Sequence, residues 1–309
     1  YALQEGIGYF YFESLEDAKR VSAIAVAMGK KVKSGFRIHP RLGGFLSGAA
    51  EFYITKFGIP IEKAVEIYQE AQQLPNLELE AISSHIGSQI ISVRPYLQLV
   101  DQLTRLAILL TKQGFTIHEI NLGGGFPSGT LIKTTPFNFA LRFLGVQYRH
   151  PVPELATYAE EIAKRFGQRV ESLALKPVLA TEPGRSFASQ MGILVSRVSV
   201  LKEPWVILDA SKYFIPESIF FAQGDIAVWG KSDNVLRRIY HLAGSSLNTS
   251  DVFATHKKLP ELGLGDIVLL LDAGAYSISR AIPFTVVLPP VYAIDLYGKL
   301  HLIQRKGTY

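Results

Sequence analysis

The stretch "IGYFYFESLEDAKRVSAIAVAMGKKVKSGFRIHP", Ile7 to Pro40, decides the fold. Its opening, "IGYFYF", is short, apolar and aromatic, as a strand requires. Ser14 stands three residues before Asp17, the spacing at which a hydroxyl caps a helix N-terminus. Leu15, Ala18, Val21, Ala25 and Met28 then fall on one face of a helix, and Gly29 is its stop. "KVKSGFRIHP" reads as the next strand.

The unit recurs along the chain. Pro60 precedes a helix over "IEKAVEIYQEAQQL", and "LELEAISSHIGSQ" follows as a strand. A helix over "YLQLVDQLTRLAILLTKQG", a strand over "TIHEINLGGGFP", a helix over "ELATYAEEIAKRFG" and a strand over "KPVLATEPG" complete the series. Strand–helix alternation with short apolar strands predicts a parallel sheet or a (β/α) barrel, with chemistry at the C-terminal ends of the strands. Five steps are visible where a closed barrel has eight, so the expectation is a barrel lacking its first strands. The chain also begins at Tyr1 in what reads as mid-helix, without an initiator Met, as a fragment would.

Beyond residue 192 the helical period fades. "ILVSRVSVLK", "PWVILDASKYF", "GDIAVWG", "RRIYHLAG", "DIVLLLDAG", "FTVVLPPVYAIDL" and "KLHLIQRK" are strand-like segments separated by turns, the clearest being "LYGKL" at Leu296 to Leu300. The expected organisation is a (β/α) domain over residues 1–192 and an all-β domain, a sandwich or Greek key, over 193–309.

Composition narrows the function. The 309 residues are 48% apolar and carry a net charge of +5, 32 basic against 27 acidic. The basic residues are scattered, the densest run being "KKVKSGFR", with neither a stacking platform nor a groove-reading helix, which argues against nucleic acid as a partner. The absence of cysteine excludes disulfides, thiolate-held metals and a cysteine nucleophile from this chain. No apolar run reaches the length of a membrane span, so a cytoplasmic location without membrane contact is expected.

Three glycine-containing turns follow successive strands: "SSHIGSQ" (Ser83 to Gln89), "NLGGGFP" (Asn121 to Pro127) and "TEPGRSF" (Thr181 to Phe187). Alone, each is readily a loop, and a triple glycine is most often just a place where φ is positive. Consecutive glycines can also turn backbone N–H groups toward a phosphate. The turns are one strand–helix step apart, so in a parallel barrel they converge on one mouth. The last places Glu182 and Arg185 around a Pro-Gly turn, either as two solvated charges or as a site for a cation and an anion together.

"HIGSQ", "GGGFP", "EPGR" and, in the β-rich part, "DAGAY" (Asp272 to Tyr276) occur in the order found in the fold-type III pyridoxal phosphate (PLP) decarboxylases. The chain resembles this family, which includes diaminopimelate and ornithine decarboxylases, over almost its whole length. The resemblance implies an alanine-racemase-like barrel with a C-terminal β domain, PLP as cofactor, and decarboxylation of an amino acid by a homodimer with shared active sites. It implies that Glu182 pairs with the pyridine nitrogen, where an acid makes the ring a better electron sink, and that His85 stacks on the ring. Arg185, Ser88, Tyr276 and backbone N–H groups at Gly123, Gly124, Gly125 and Gly184 would take the phosphate. Asp251 would lie near the substrate, and no metal is implied.

The chain departs from the family pattern in three places. The family's Schiff-base lysine belongs to a segment before Tyr1, and Lys56, in "TKFGIP", is expected to make ion pairs or dimer contacts instead. Where relatives carry a proton-donating cysteine, "GSSLNTSDVF" (Gly244 to Phe253) has Leu247, with Asn248 beside it. The arginine of the diaminopimelate-type substrate motif has no counterpart in "DASKYFIPESIFF". Decarboxylation with another proton donor, a different outcome at the α-carbon such as racemisation or transamination, and a non-catalytic relative that binds another protein all remain open on sequence.

Overall fold

Ser14 caps the first helix as its spacing predicts, accepting the Asp17 N–H through its side chain. The computed structural model describes residues 1–42, 56–129, 132–133, 141, 151–216, 221–222, 225–232 and 236–308. In chain order the strands are β1 (Phe10–Phe12), β2 (Val32–His39), β3 (Ile59–Pro60), β4 (Leu77–Ser84), β5 (Glu119–Asn121), β6 (Ile132–Lys133), β7 (Val178–Ala180), β8 (Leu194–Lys202) and β9 (Trp205–Leu208). They continue as β10 (Phe221–Ala222), β11 (Ile226–Val228), β12 (Arg237–Ala243), β13 (Val252–Pro260), β14 (Ile267–Leu270), β15 (Val291–Ile294) and β16 (Leu300–Gln304). The α-helices are α1 (Leu15–Ala27), α2 (Ala64–Ala71), α3 (Arg94–Lys112), α4 (Leu155–Val170), α5 (Arg185–Ala188) and α6 (Ser277–Arg280).

The chain forms two units: Tyr1–Pro127 with Val152–Gly184, and Ser128–Pro151 with Arg185–Tyr309. In the first, β1, β2, β4, β5 and β7 lie side by side in that order, all parallel, and β3 pairs with β2. The first unit is therefore the α/β architecture expected from the alternation. One face of the sheet is apolar and buried under the helices, with Phe36, Ile82, Tyr68, Leu99, Leu103 and Ile120 at its centre. Tyr68 shows why an aromatic with a polar end is needed there. A register shift between β2 and β4 at Ser34/Gly35 brings Gly35 so close that a Cβ would lie 1.8 Å from the Ala81 carbonyl. The Tyr68 hydroxyl accepts the Phe36 N–H at 3.1 Å and donates to the Ala81 oxygen, satisfying the groups that the irregularity sets apart.

The other face is polar and concave. Tyr11 of β1 donates its hydroxyl to Glu119 of β5, three strands away, and Tyr9 donates to Glu80 of β4 at 3.0 Å. Strands sit about 4.8 Å apart, so side chains from the first and fourth strands of a flat sheet would be separated by roughly 14 Å. They meet because the sheet curls as a barrel wall does. Arg37 pairs with Glu13 at 2.7 Å and Lys33 with Glu80 at 3.0 Å on this same lining.

The second unit is built on β11-β14-β8-β9-β12-β13, antiparallel apart from the β9–β12 pair. Val206, Leu208, Leu242, Val268 and Leu270 are fully buried in its core. Strands β15 and β16 form the hairpin expected around "LYGKL", with Gly298 at φ +79. Residues 185–192, expected with the barrel, group with this unit instead. The reason lies in hydrogen bonds to the Asp272–Tyr276 loop: Gly274 N–H donates to Ser189 O at 2.9 Å and Ala273 N–H to Gly192 O at 2.8 Å.

Candidate functional site

In the first unit, neighbouring parallel strands β4, β5 and β7 deliver their following turns side by side, as the spacing of the three motifs predicts. The glycines of "GGGFP" are required by this closeness. A Cβ on Gly123 would meet the Ser84 oxygen at 2.3 Å, on Gly124 the Glu182 oxygen at 2.4 Å, and on Gly125 the Gly87 oxygen at 2.4 Å. Gly123 and Gly125 also hold φ values of +69 and +95. The outer helices fasten the turn. Tyr96 of α3 stacks on Phe126 at 4.7 Å and donates its hydroxyl to Gly124 O at 2.9 Å, while Tyr158 of α4 donates to Ile90 O at 2.8 Å. Ile90 N–H in turn reaches Gly125 O at 2.9 Å.

The glycine N–H groups have partners that the sequence did not suggest. Gly123 N–H donates to Asn121 Oδ1 at 2.8 Å and Gly124 N–H to His85 Nδ1 at 3.1 Å, so these two are turned inward rather than toward a phosphate. The second bond makes Nδ1 of His85 the acceptor, which places the proton of the neutral ring on Nε2. His85 titrates below the ordinary imidazole value because desolvation and the positive charge of Arg37 outweigh Glu182 and the Gly87 carbonyl. Glu182 N–H donates to Gly123 O at 2.9 Å, and its carboxylate accepts from Asn121 Nδ2 at 2.9 Å. The Glu182 side chain is exposed and forms no ion pair among the described residues. Ser88 is exposed on the turn after β4.

In the second unit the structure brings together Arg185 and Tyr276. Arg185 is buried at the start of α5, with its guanidinium 5.4 Å from the centre of the Tyr276 ring. Gly274 admits the loop onto α5, since a Cβ there would lie 2.0 Å from Ala188 O. Tyr276 sits at φ +60, a left-handed conformation that bulky residues rarely adopt.

Asp251 is also buried. Its carboxylate accepts from Lys212 N–H at 2.7 Å, Ser211 Oγ at 3.0 Å and Ser246 N–H at 3.1 Å. These bonds make it an anchor of the Gly244–Phe253 loop. Leu247, on the same loop, is 96% exposed.

Residues 1–189 match the family described as pyridoxal-dependent decarboxylase, pyridoxal binding domain. The chain belongs to that family. Diaminopimelate decarboxylase of Archaeoglobus fulgidus is 29% identical, over 86% of this chain and 61% of that protein. The Pseudomonas aeruginosa enzyme of the same name is 31% identical, over 89% and 62%. The chain thus spans somewhat less than two thirds of these relatives. Diaminopimelate decarboxylase of M. jannaschii, solved in complex with L-lysine, superposes with a TM-score of 0.86 at 23% identity, over 99% of this chain and 68% of that one. Lysine decarboxylase of Selenomonas ruminantium gives 0.72 at 24%, over 92% and 68%. These likenesses carry the fold: a pyridoxal-binding barrel unit and a β-rich unit.

In each unit taken by itself, the donor chemistry fits a part of pyridoxal phosphate. Glu182 is an aimed carboxylate without a cationic partner among the described residues, and the buried Arg185 lies beneath a tyrosine. Asn121, Tyr11, Glu13 and Arg37 were not read from sequence as site residues. Asn121 had a signal, since Asn two residues before a glycine is an Asx-turn pattern. Arg37 and Glu13 did not, because charges on strands read equally as solvent-facing. Lys56 Nζ lies 5.1 Å from the Phe57 ring centre and makes no ion pair among the described residues. Part of the segment compared with the diaminopimelate substrate motif, residues 217–220, lies outside the described residues.

Proposed function

We propose that this chain serves PLP-dependent decarboxylation of an amino acid, in the class that includes diaminopimelate, lysine and ornithine. The observation that carries this reading is the Glu182 carboxylate, held by Asn121 and beside a neutral His85, in a unit matched to the pyridoxal-binding domain. When bound, the cofactor supplies an electron sink for the charge left by a departing carboxylate. Glu182 would pair with the ring nitrogen and keep it protonated. His85 would cover a ring face. Arg185 would hold the phosphate through its planar fork, with Tyr276, Ser88 and the Gly184 and Gly125 backbone adding donors. The contact between Tyr276 and Arg185, 5.4 Å from ring centre to guanidinium, supports this pairing.

Leu247 cannot deliver a proton, and the Asp251 carboxylate is committed to its own loop. Protonation of the product therefore falls to another group in a homodimer with shared active sites. A second reading, a non-catalytic relative that binds protein, is favoured by Leu247 alone. The deciding experiment is borohydride reduction of the natural full-length protein after PLP addition, followed by peptide mass mapping. A pyridoxyl-lysine adduct supports the enzyme, and its absence together with absence of bound PLP supports the binder. Arg185→Ala is expected to lower PLP retention after dialysis at least tenfold; unchanged retention would refute the phosphate role.

A further inference from the structure

The amide of Asn121 is buried, with 6% of the residue exposed, and lies among groups from three strands of the barrel wall. Oδ1 accepts Gly123 N–H at 2.8 Å and Nδ2 donates to Glu182 Oε1 at 2.9 Å. The orientation is forced. Turned over, the amide would set NH2 against the Gly123 N–H and its oxygen against a carboxylate, two repulsive contacts in place of two bonds. The Tyr11 hydroxyl donates to Glu119, and the Asn121 amide beside it acts as a donor that favours its ionised form. Burial first, then Glu119, holds Tyr11 well above the ordinary phenol value, so it keeps its proton for Glu119 and leaves a lone pair for Asn121. Three donor and acceptor directions are therefore defined by the bonds themselves: Gly123 to Asn121, Asn121 to Glu182 and Tyr11 to Glu119.

We infer that Asn121 is the positioning residue for the Glu182 carboxylate, and that Tyr11 of β1, itself bonded to Glu119 on Asn121's own strand, holds Asn121 in place. The inference rests on the reading that Glu182 faces the pyridine nitrogen of PLP. It adds to that reading the element that prevents Glu182, exposed and at the end of a turn, from rotating away. A carboxylate fixed only by its own rotamers would lose side-chain entropy on meeting the ring, whereas one already bonded to a saturated amide has lost it beforehand. Asn121 acts through Glu182 and touches neither substrate nor cofactor.

The test uses the natural full-length protein loaded with pyridoxal 5'-phosphate labelled with nitrogen-15 in the ring. Ring-nitrogen titration is followed by NMR and turnover is measured in parallel. Asn121→Ser keeps a side-chain acceptor for Gly123 N–H but is too short to reach Glu182. The expected result is an unchanged denaturation midpoint, a ring-nitrogen pKa lower by about one unit or more, and kcat lower by roughly 10- to 100-fold with KM within about threefold. Tyr11→Phe removes the acceptor for the second Nδ2 hydrogen and should shift both quantities in the same direction by less. Two results would overturn the inference: wild-type ring titration in both variants, or loss of folding stability and cofactor with normal titration of what remains bound, which would make Asn121 a loop anchor only. Failure of the wild-type protein to take up PLP would sink the cofactor reading itself and this inference with it.

Discussion

Gly124→Ala isolates the steric demand at the centre of the site. The residue does not need a left-handed backbone, so the substitution tests space alone. The added methyl would lie 2.4 Å from the Glu182 carbonyl oxygen and 3.4 Å from His85 Cε1. Ordinary contact begins near the second of these distances, so the Glu182 turn must retreat by about 1 Å. It cannot do so freely, because Glu182 N–H is bonded to Gly123 O at 2.9 Å. Overpacking of this kind costs about 1–3 kcal/mol and a strained hydrogen bond about 1 more, together about 2–4 kcal/mol. A displacement of this size at a positioned carboxylate should also lower turnover by roughly 100-fold in the natural protein. Both tryptophans, Trp205 and Trp229, lie in the second unit, so the assay is urea denaturation followed by far-ultraviolet dichroism, with PLP affinity in parallel. Gly167→Ala is the control, because its Cβ would meet nothing within 4 Å, and it should stabilise helix α4 slightly. Wild-type midpoint and wild-type PLP affinity in Gly124→Ala would refute the argument.

Asp251→Asn should destabilise the second unit by about 2–3 kcal/mol, since an amide must set a donor against one of the three donors around it. Tryptophan fluorescence in urea reads this directly, and an unchanged midpoint would remove Asp251 from its anchoring role. His85 and His241 both titrate below the ordinary 6.5, His241 because of burial and then the charge of His256. The unfolded chain therefore takes up these protons first, and stability should fall as pH drops from 6.5 toward the folded values. His85→Gln and His241→Gln should each flatten that dependence; a urea midpoint equal at pH 7.5 and 5.5 would contradict it. Tyr276→Phe keeps the ring over Arg185 and should leave apo stability within about 0.5 kcal/mol while weakening PLP retention, measured by dialysis.

The barrel unit was legible because its signals are local: a serine cap, a three-four apolar stripe and strands bounded by glycine. Strand β5 is shorter than "TIHEINLGGGFP" suggests, ending at Asn121, because that side chain bonds the Gly123 N–H and the following glycines turn the backbone. Strand β13 was missed. Lys257 and Lys258 hide its alternation, and His256 sits at φ +54 within it, with His256 N–H donating to His241 Nδ1 at 3.1 Å. The convergence of "HIGSQ", "GGGFP" and the Glu182 turn followed from parallel order. What the glycine N–H groups bond to did not, since their partners, Asn121 and His85, depend on how three turns stack. Arg37 and Glu13 were equally hidden, because only the curl of the sheet makes their face a lining rather than a surface.

Tyr96 and Tyr158 belong to the outer helical layer, yet their hydroxyls end on the glycine turn after β5 and on the turn that carries His85. Removing either oxygen leaves an aromatic core nearly intact while releasing a carbonyl that the phenol had fixed. The helical shell of this protein is therefore part of the precision of the proposed cofactor site. Substitutions in α3 and α4, far in sequence from every recognised motif, can change cofactor retention while the fold survives.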